Sequence, residues 1–233
     1  MTTNPIAVIR TRNLSKTYGN GSKTPVRAVS NVAFKAMRGE VLLIRGPNGS
    51  GKTTLLSMLG CMIAPSRGSL SILGENVTLL SQRRLTVFRI KNIGFVFQTF
   101  RLLDALTVLE NVELPMNLAG MGRSDSLRKA RSLLDEFDLL HRSGFLPRAL
   151  SGGEKQRVAV ARAFANDPSV ILADEPTGSL DSRSGRVAVE SLCSAARRCQ
   201  STVLIVSHDA RIVPVADRVF EMEDGRLTEG VKP

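Results

Sequence analysis

Eight residues limit what this chain can fold into more than any other stretch: Gly46-Pro47-Asn48-Gly49-Ser50-Gly51-Lys52-Thr53. They follow the apolar run Val41 to Ile44 and precede a segment of helical period that starts at Thr54 and carries Leu55, Leu59, Met62 and Ile63. The pattern G-x-x-x-x-G-K-[ST] between a strand and a helix describes a loop whose backbone N–H groups wrap phosphate oxygens. Its glycines permit backbone angles and close approaches that a Cβ would block. The helix beginning near Gly51 adds a positive dipole end. Lys52 then reaches the β- and γ-phosphates, and the hydroxyl of Thr53 is placed to ligate Mg²⁺.

Such a loop needs a buried strand, and three further runs of the same kind occur: Ile93 to Phe97, Val170 to Ala173 and Val203 to Val206. Their shortness and β-branched content predict strands buried on both faces, with crossover helices between them, so the fold class is α/β. Residues 99–165 read differently. Leu133, Leu134, Phe137 and Leu140 have helical spacing, Thr107 and Glu110 have capping-box spacing, and Gly120, Gly122 and Gly144 punctuate the helices. This segment is expected to be a helical subdomain inserted into a nucleotide-binding core formed by 1–98 and 166–233. Val8, Val26, Val29, Val32 and Phe34 predict an antiparallel β region in residues 1–40.

Composition narrows the class. The chain has 233 residues, 42% hydrophobic and 23% charged, which suits one domain with an inserted lobe. Its net charge of +11 favours an anionic neighbour: nucleotide, nucleic acid or membrane surface. Cys61, Cys193 and Cys199 make an odd set without a C-x-x-C pair, so neither a disulfide framework nor a four-ligand zinc site is expected. No stretch approaches the roughly 20 apolar residues of a membrane span, and MTTNPIAVIRTR lacks the form of a signal peptide.

Hydrolysis of a bound nucleotide requires a metal ligand and a group that activates water. Asp174 and Glu175 follow the strand 170–173, at the end where open α/β sheets bind ligands. Asp174 would hold Mg²⁺ through its water shell, and Glu175 would polarise the attacking water. Alone, two acids before Pro176 read better as a solvated turn; combined with the phosphate loop, the functional assignment prevails. Leu150-Ser151-Gly152-Gly153-Glu154 opens another helical run, and Ser151 with Glu154 fits a capping box. Two glycines in a first helical turn cost roughly 1 kcal/mol each relative to alanine. They are reasonable where something must approach the backbone, which makes this helix start a second anion site.

With these motifs in order, together with Gln98, Ser179-Leu180-Asp181 and His208, the sequence resembles the ATP-binding subunits of ABC transporters over essentially its whole length. The resemblance implies a P-loop NTPase core, ATP and Mg²⁺, and a head-to-tail homodimer in which Ser151, Gly152, Gly153 and Glu154 complete the site around the partner's nucleotide. It implies that Tyr18 stacks on adenine, where the alternative is a packed strand residue. Thr54 belongs to the ATP-binding loop, Gln98 senses Mg²⁺ and the γ-phosphate, His208 is the switch histidine, and Asp181 couples the two sites. Glu154 stands where many members have Gln, a mild departure.

Glu110-Asn111-Val112-Glu113-Leu114-Pro115 and Ala173-Asp174-Glu175-Pro176-Thr177-Gly178 are most similar to the lipoprotein-releasing, macrolide-exporter and cell-division branch. That branch implies an integral membrane permease with a large extracytoplasmic domain. The ATPase would then lie on the cytoplasmic face of the inner membrane, docked near Gln98 and residues 99–118. Export or extraction of a hydrophobic substrate is the expected output; the alternative is mechanotransmission to an extracytoplasmic enzyme. A nucleic-acid ATPase has only the +11 charge in its favour, because 233 residues leave no room for tandem cassettes or long coiled coils, and no specific nucleic acid is expected.

Overall fold

The structure is a computed structural model that describes residues 7–19 and 24–230. Residues 1–6, which begin the amino-terminal reading above, lie outside the described residues, as do 20–23 and 231–233. The chain runs β1 (Ala7–Tyr18), β2 (Val26–Val32), β3 (Lys35–Met37), β4 (Val41–Arg45), α1 (Lys52–Leu59), β5 (Arg67–Ile72), β6 (Glu75–Asn76), α2 (Gln82–Asn92) and β7 (Ile93–Val96). It continues through α3 (Val108–Leu118), α4 (Arg123–Glu136), α5 (Gly152–Ala163), β8 (Val170–Asp174), α6 (Ser182–Cys199), β9 (Thr202–Val206), β10 (Arg218–Glu223) and β11 (Arg226–Glu229). Between 99 and 165 the described elements are helices and turns, without a strand.

The apolar runs meet in one sheet, ordered β11-β10-β4-β9-β8-β7, parallel except for the edge pair β10–β11. Because side chains alternate across a strand, Val41 and Leu43 of β4, Ile171 of β8 and Ile205 of β9 face the core formed with α3 to α6. Leu42, Ile44, Leu172 and Leu204 face the opposite core, which α1, α2 and the antiparallel strands cover. Burial on both faces explains why these strands read as continuous apolar runs rather than alternating ones. The second sheet, β2-β1-β5-β6 with β3 also on β1, is antiparallel.

Two expected helices are shorter than their apolar spacing suggests. α1 stops at Leu59; Gly60 caps it, Cys61 takes a positive φ of 54°, and Met62 is exposed. α4 stops at Glu136, the chain reverses at Asp138 with φ 54°, and Leu139 is buried in place of the exposed Leu140. In both, a left-handed residue ends the helix while apolar residues continue beyond it. Strands β5, β6, β10 and β11 and helix α2 are elements that runs of apolar residues do not reveal. α2 buries only Phe88, and in β10 the charged Arg218, Glu221 and Glu223 break up the buried Val219, Phe220 and Met222.

No helix among the described residues is long and apolar enough to cross a membrane. All three cysteines are free; burial pushes the thiols of Cys61 and Cys193 up to about 11, which keeps them protonated and unreactive.

Candidate active site

The loop after β4 is shaped by contacts that only glycine allows. A Cβ on Gly46 would lie 2.1 Å from the Met222 carbonyl oxygen, and one on Gly51, at φ 104°, would lie 2.1 Å from that of Ala28. The loop is thus pressed between β10 and β2, with Gly49 open on its other side. Gly51 caps α1 without a side-chain hydrogen bond, and the first turn contains no acid, so its N–H groups and dipole remain available to an anion. Lys52 is buried, and its Nζ donates to the carbonyls of Gly46 at 2.8 Å and Pro47 at 2.9 Å, which places the ammonium inside the curl of the loop. The buried Ser50 hydroxyl has no hydrogen-bond partner among the described residues. Pro47, Asn48, Gly49 and Thr53 are exposed at the mouth, while Thr54 is half-buried.

Three strand ends bring the chemistry to this mouth. β8 ends at Asp174, whose Oδ1 accepts from the Thr53 hydroxyl at 3.2 Å. Burial raises the pKa of Asp174 above the usual carboxylate range; the neighbouring Glu175 pushes the same way, while Thr53, Lys52 and Arg101 oppose it. Glu175 turns out of the strand with φ 45°, a left-handed conformation that is costly for a side chain with a Cβ. Its N–H donates to Val206 at the end of β9, and its carboxylate meets the residues just beyond: Ser207 Oγ donates to Oε2 at 2.7 Å, and His208 Nδ1 lies 3.0 Å from Oε1. Because an ionised carboxylate only accepts, Nδ1 carries the proton of that contact.

Gln98 lies beyond β7, its amide packed where a Cβ on Gly178 would come within 2.8 Å, and its carbonyl accepts from Ser179. Tyr18 ends β1 exposed, with Lys16 Nζ 5.3 Å from its ring centroid, so the packed-strand alternative does not hold.

The second anion cluster stands apart. Ser151 caps α5 in a complete capping box with Glu154, whose Oε1 also accepts from Arg142 at 3.0 Å. The Ser151 backbone N–H, with further help from Arg142, holds the Glu154 carboxyl below its usual range, so Glu in place of Gln has a charged partner of its own. A Cβ on Gly152 would come 3.2 Å from Leu180, and one on Gly153 3.4 Å from Ser184; part of the need for these glycines is therefore packing within the chain. Asp181 caps α6 through the N–H groups of Arg183 and Ser184. Among the described residues, no hydrogen bond links residues 151–154 or 179–184 to the phosphate loop, and Ser151 is exposed.

Three groups were not anticipated from sequence. Ser207 holds the Glu175 carboxylate. Asp209 accepts from Thr177 at 3.0 Å and pairs with Arg211, which brings its carboxyl down to about 2. Arg162 donates to the carbonyls of Phe100 and Arg101, two consecutive residues at positive φ. The available signal for Ser207 was a polar residue closing a wholly apolar strand; Arg162 joins residues some sixty positions apart and left none.

The sequence profile of the ABC transporter family matches residues 29–178. The chain belongs to the ABC transporter family. It is an ATP-binding and ATP-hydrolysing subunit of that family, carrying the phosphate loop and the acidic strand end in one chain. An uncharacterized ABC transporter ATP-binding protein of Thermotoga maritima is 44% identical over 93% of this chain and 92% of its own. The lipoprotein-releasing system ATP-binding protein LolD of Bacteroides fragilis is 40% identical over 94% of this chain and all of its own. The macrolide export ATP-binding/permease protein MacB of Rhodospirillum rubrum is 42% identical over 98% of this chain, which corresponds to 35% of that longer protein. These relatives agree with the branch that the motifs resemble. A dimeric, post-hydrolysis structure of the ATP-binding cassette MJ0796, bound to ADP and Pi, superposes with a TM-score of 0.88 at 36% identity, covering 97% of this chain and 99% of that one.

Proposed function

We propose that this chain energises a membrane permease by hydrolysing ATP in a head-to-tail pair of copies, and that the output is export or extraction of a hydrophobic substrate. The observation that carries the chemistry is the convergence of the Lys52 loop, Asp174 and the Glu175–His208 pair at the ends of β4, β8 and β9. The loop N–H groups, the α1 dipole and Lys52 bind the phosphates. Glu175 takes a proton from the attacking water as a bond forms from its oxygen to the γ-phosphorus and the bond to the bridging oxygen breaks. Thr53 and Asp174, joined by a hydrogen bond, form an oxygen donor pair that suits Mg²⁺, which would supply charge neutralisation at the phosphates; Gln98 would sense the ion from the end of β7.

Ser151 is exposed, its glycines are half-buried, and no described hydrogen bond joins them to the loop of their own chain, which supports a role at the partner's γ-phosphate; Asp181, which caps α6 next to Leu180 beside Gly152, would couple the sites. Tyr18 is exposed at the end of β1, where it could stack on adenine. The dimeric cassette structure supports the pairing. For the permease, a groove of about 260 Å³ lies between β7, α3 and α5, lined by Phe97, Leu114, Pro115 and Leu118 beside residues 99–118. It suits an inserted permease helix. The names of the lipoprotein-releasing and macrolide-export relatives support a partner of that kind, which we take to have a large extracytoplasmic domain. The chain then works on the cytoplasmic face of the inner membrane, where the +11 charge favours anionic lipid.

The test is affinity purification of the Glu175→Gln protein from detergent-solubilised membranes with ATP and Mg²⁺. Co-purification of a permease with a large extracytoplasmic domain is the expected result. Recovery only with soluble partners or nucleic acid would overturn membrane coupling.

A further inference from the structure

The Glu175 carboxylate is held from two sides, and the two holds differ in freedom. Ser207 is fully buried, at 0% exposure, whereas the His208 side chain is 63% exposed. A hydroxyl in a close-packed interior keeps its rotamer, while an exposed ring reorients on the picosecond-to-nanosecond scale. The Ser207 hydroxyl is itself oriented. Its oxygen accepts from the Asp209 N–H at 3.1 Å, and Asp209 accepts from Thr177 Oγ1 and is clamped by Arg211. The network therefore closes on Thr177, two residues from Glu175, and directs the hydroxyl proton to Glu175 Oε2 at 2.7 Å.

We propose that Ser207 is a positioning residue for ATP hydrolysis: its buried hydroxyl keeps Glu175 Oε2 fixed while His208, the mobile partner, releases Oε1. This rests on the reading of Glu175 as the group that activates water. When His208 swings away, a carboxylate without Ser207 keeps only the long contact from the His208 N–H at 3.4 Å, and rotation about its side-chain torsions carries it out of line. Among the described residues the Ser207 hydroxyl bonds only Glu175 and the Asp209 N–H and none of the phosphate loop, so nucleotide binding should not depend on it. The signature of the role is therefore a loss in kcat without a loss in KM.

The experiment measures steady-state hydrolysis and ATP affinity of the full-length protein with Mg²⁺. Ser207→Ala should lower kcat roughly tenfold to a hundredfold, the scale of a misplaced reacting group. KM and Kd for ATP should change by less than about twofold, and Ser207→Thr should recover most of kcat because it restores the donor. Combined with Glu175→Gln, the two losses should not multiply, since both act through one carboxylate. If the alanine protein does not accumulate, Ser207→Cys, a weak donor of similar shape, gives the same readout with a smaller loss. Wild-type kcat in Ser207→Ala or Ser207→Cys, a matching loss of ATP affinity, or multiplicative losses in the double variant would each overturn the proposal. Undiminished hydrolysis by Glu175→Gln alone would instead defeat the underlying reading of Glu175, so the two failures are distinguishable.

Discussion

Lys52 illustrates how a single side chain can be committed before its ligand arrives. Its ammonium is bound to two carbonyls of its own loop, so its charge is held inside the curl of that loop and little side-chain freedom would be lost on binding an anion there. Lys52→Ala removes charge-assisted hydrogen bonds worth about 1.5–3 kcal/mol each, and ATP affinity should fall at least roughly tenfold by calorimetric titration. Unchanged affinity would show that the loop N–H groups suffice. Asp209 sets a pH limit on the same region. Its hydrogen bonds with Arg211, chief among the causes, bring its pKa from the usual 3.8 down to about 2 in the folded protein. The folded state then binds its proton less readily than the unfolded chain, so this group adds stability above pH 3.8 and loses it as pH falls through about 2. Discounted for the exposed Arg211 partner, about 1 kcal/mol should separate wild type from Asp209→Asn near neutral pH, and most of it should be lost as pH falls from 3.8 to 2. Thermal unfolding followed from pH 2 to 6 checks this, and a constant gap between the two proteins would contradict it.

At the scale of elements, capping decides where the helices of residues 99–165 begin. Thr107 and Glu110 form a complete box at the start of α3, with the Thr107 N–H donating to Glu110 at 2.7 Å. Thr107→Ala should cost about 1 kcal/mol and lower Tm by about 2–4 °C; a shift well below 1 °C would mean that packing of Val108 and Val112 alone fixes the helix start. This box, the Ser151 box and strands β4, β7, β8 and β9 were legible in sequence because each is a local pattern of spacing or burial. Strands β5 and β10 were not, because polar, exposed or half-buried residues interrupt the apolar run. Helix lengths were overread at Met62 and Leu140, where a left-handed residue ends the helix while apolar residues continue. In the site, the phosphate loop, Glu175 and His208 were readable from motif and position. The hold of Ser207 on Glu175 and of Arg162 on the 100–101 loop depends on tertiary packing and could not be read locally.

For the molecule as a whole, the proposed sharing of each site between two copies rests on an exposed Ser151 that makes no hydrogen bond to the phosphate loop among the described residues, and it can be tested by complementation. In a head-to-tail pair, each site takes Lys52 from one copy and Ser151 from the other. Ser151→Arg crowds the partner's γ-phosphate, and Lys52→Ala empties its own loop, so each variant alone should be inactive. A mixed pair places both lesions in one of its two sites and leaves the other with an intact Lys52 and an intact Ser151. Random pairing of equal amounts makes half the dimers mixed, so about a quarter of the wild-type rate should return if the sites work independently. Were Ser151 to serve the loop of its own chain, both sites of the mixed pair would be damaged and mixing would restore nothing. Hydrolysis measured across mixing ratios therefore separates the arrangements: a maximum near equal amounts requires the shared site, and a flat line at the level of the single variants excludes it.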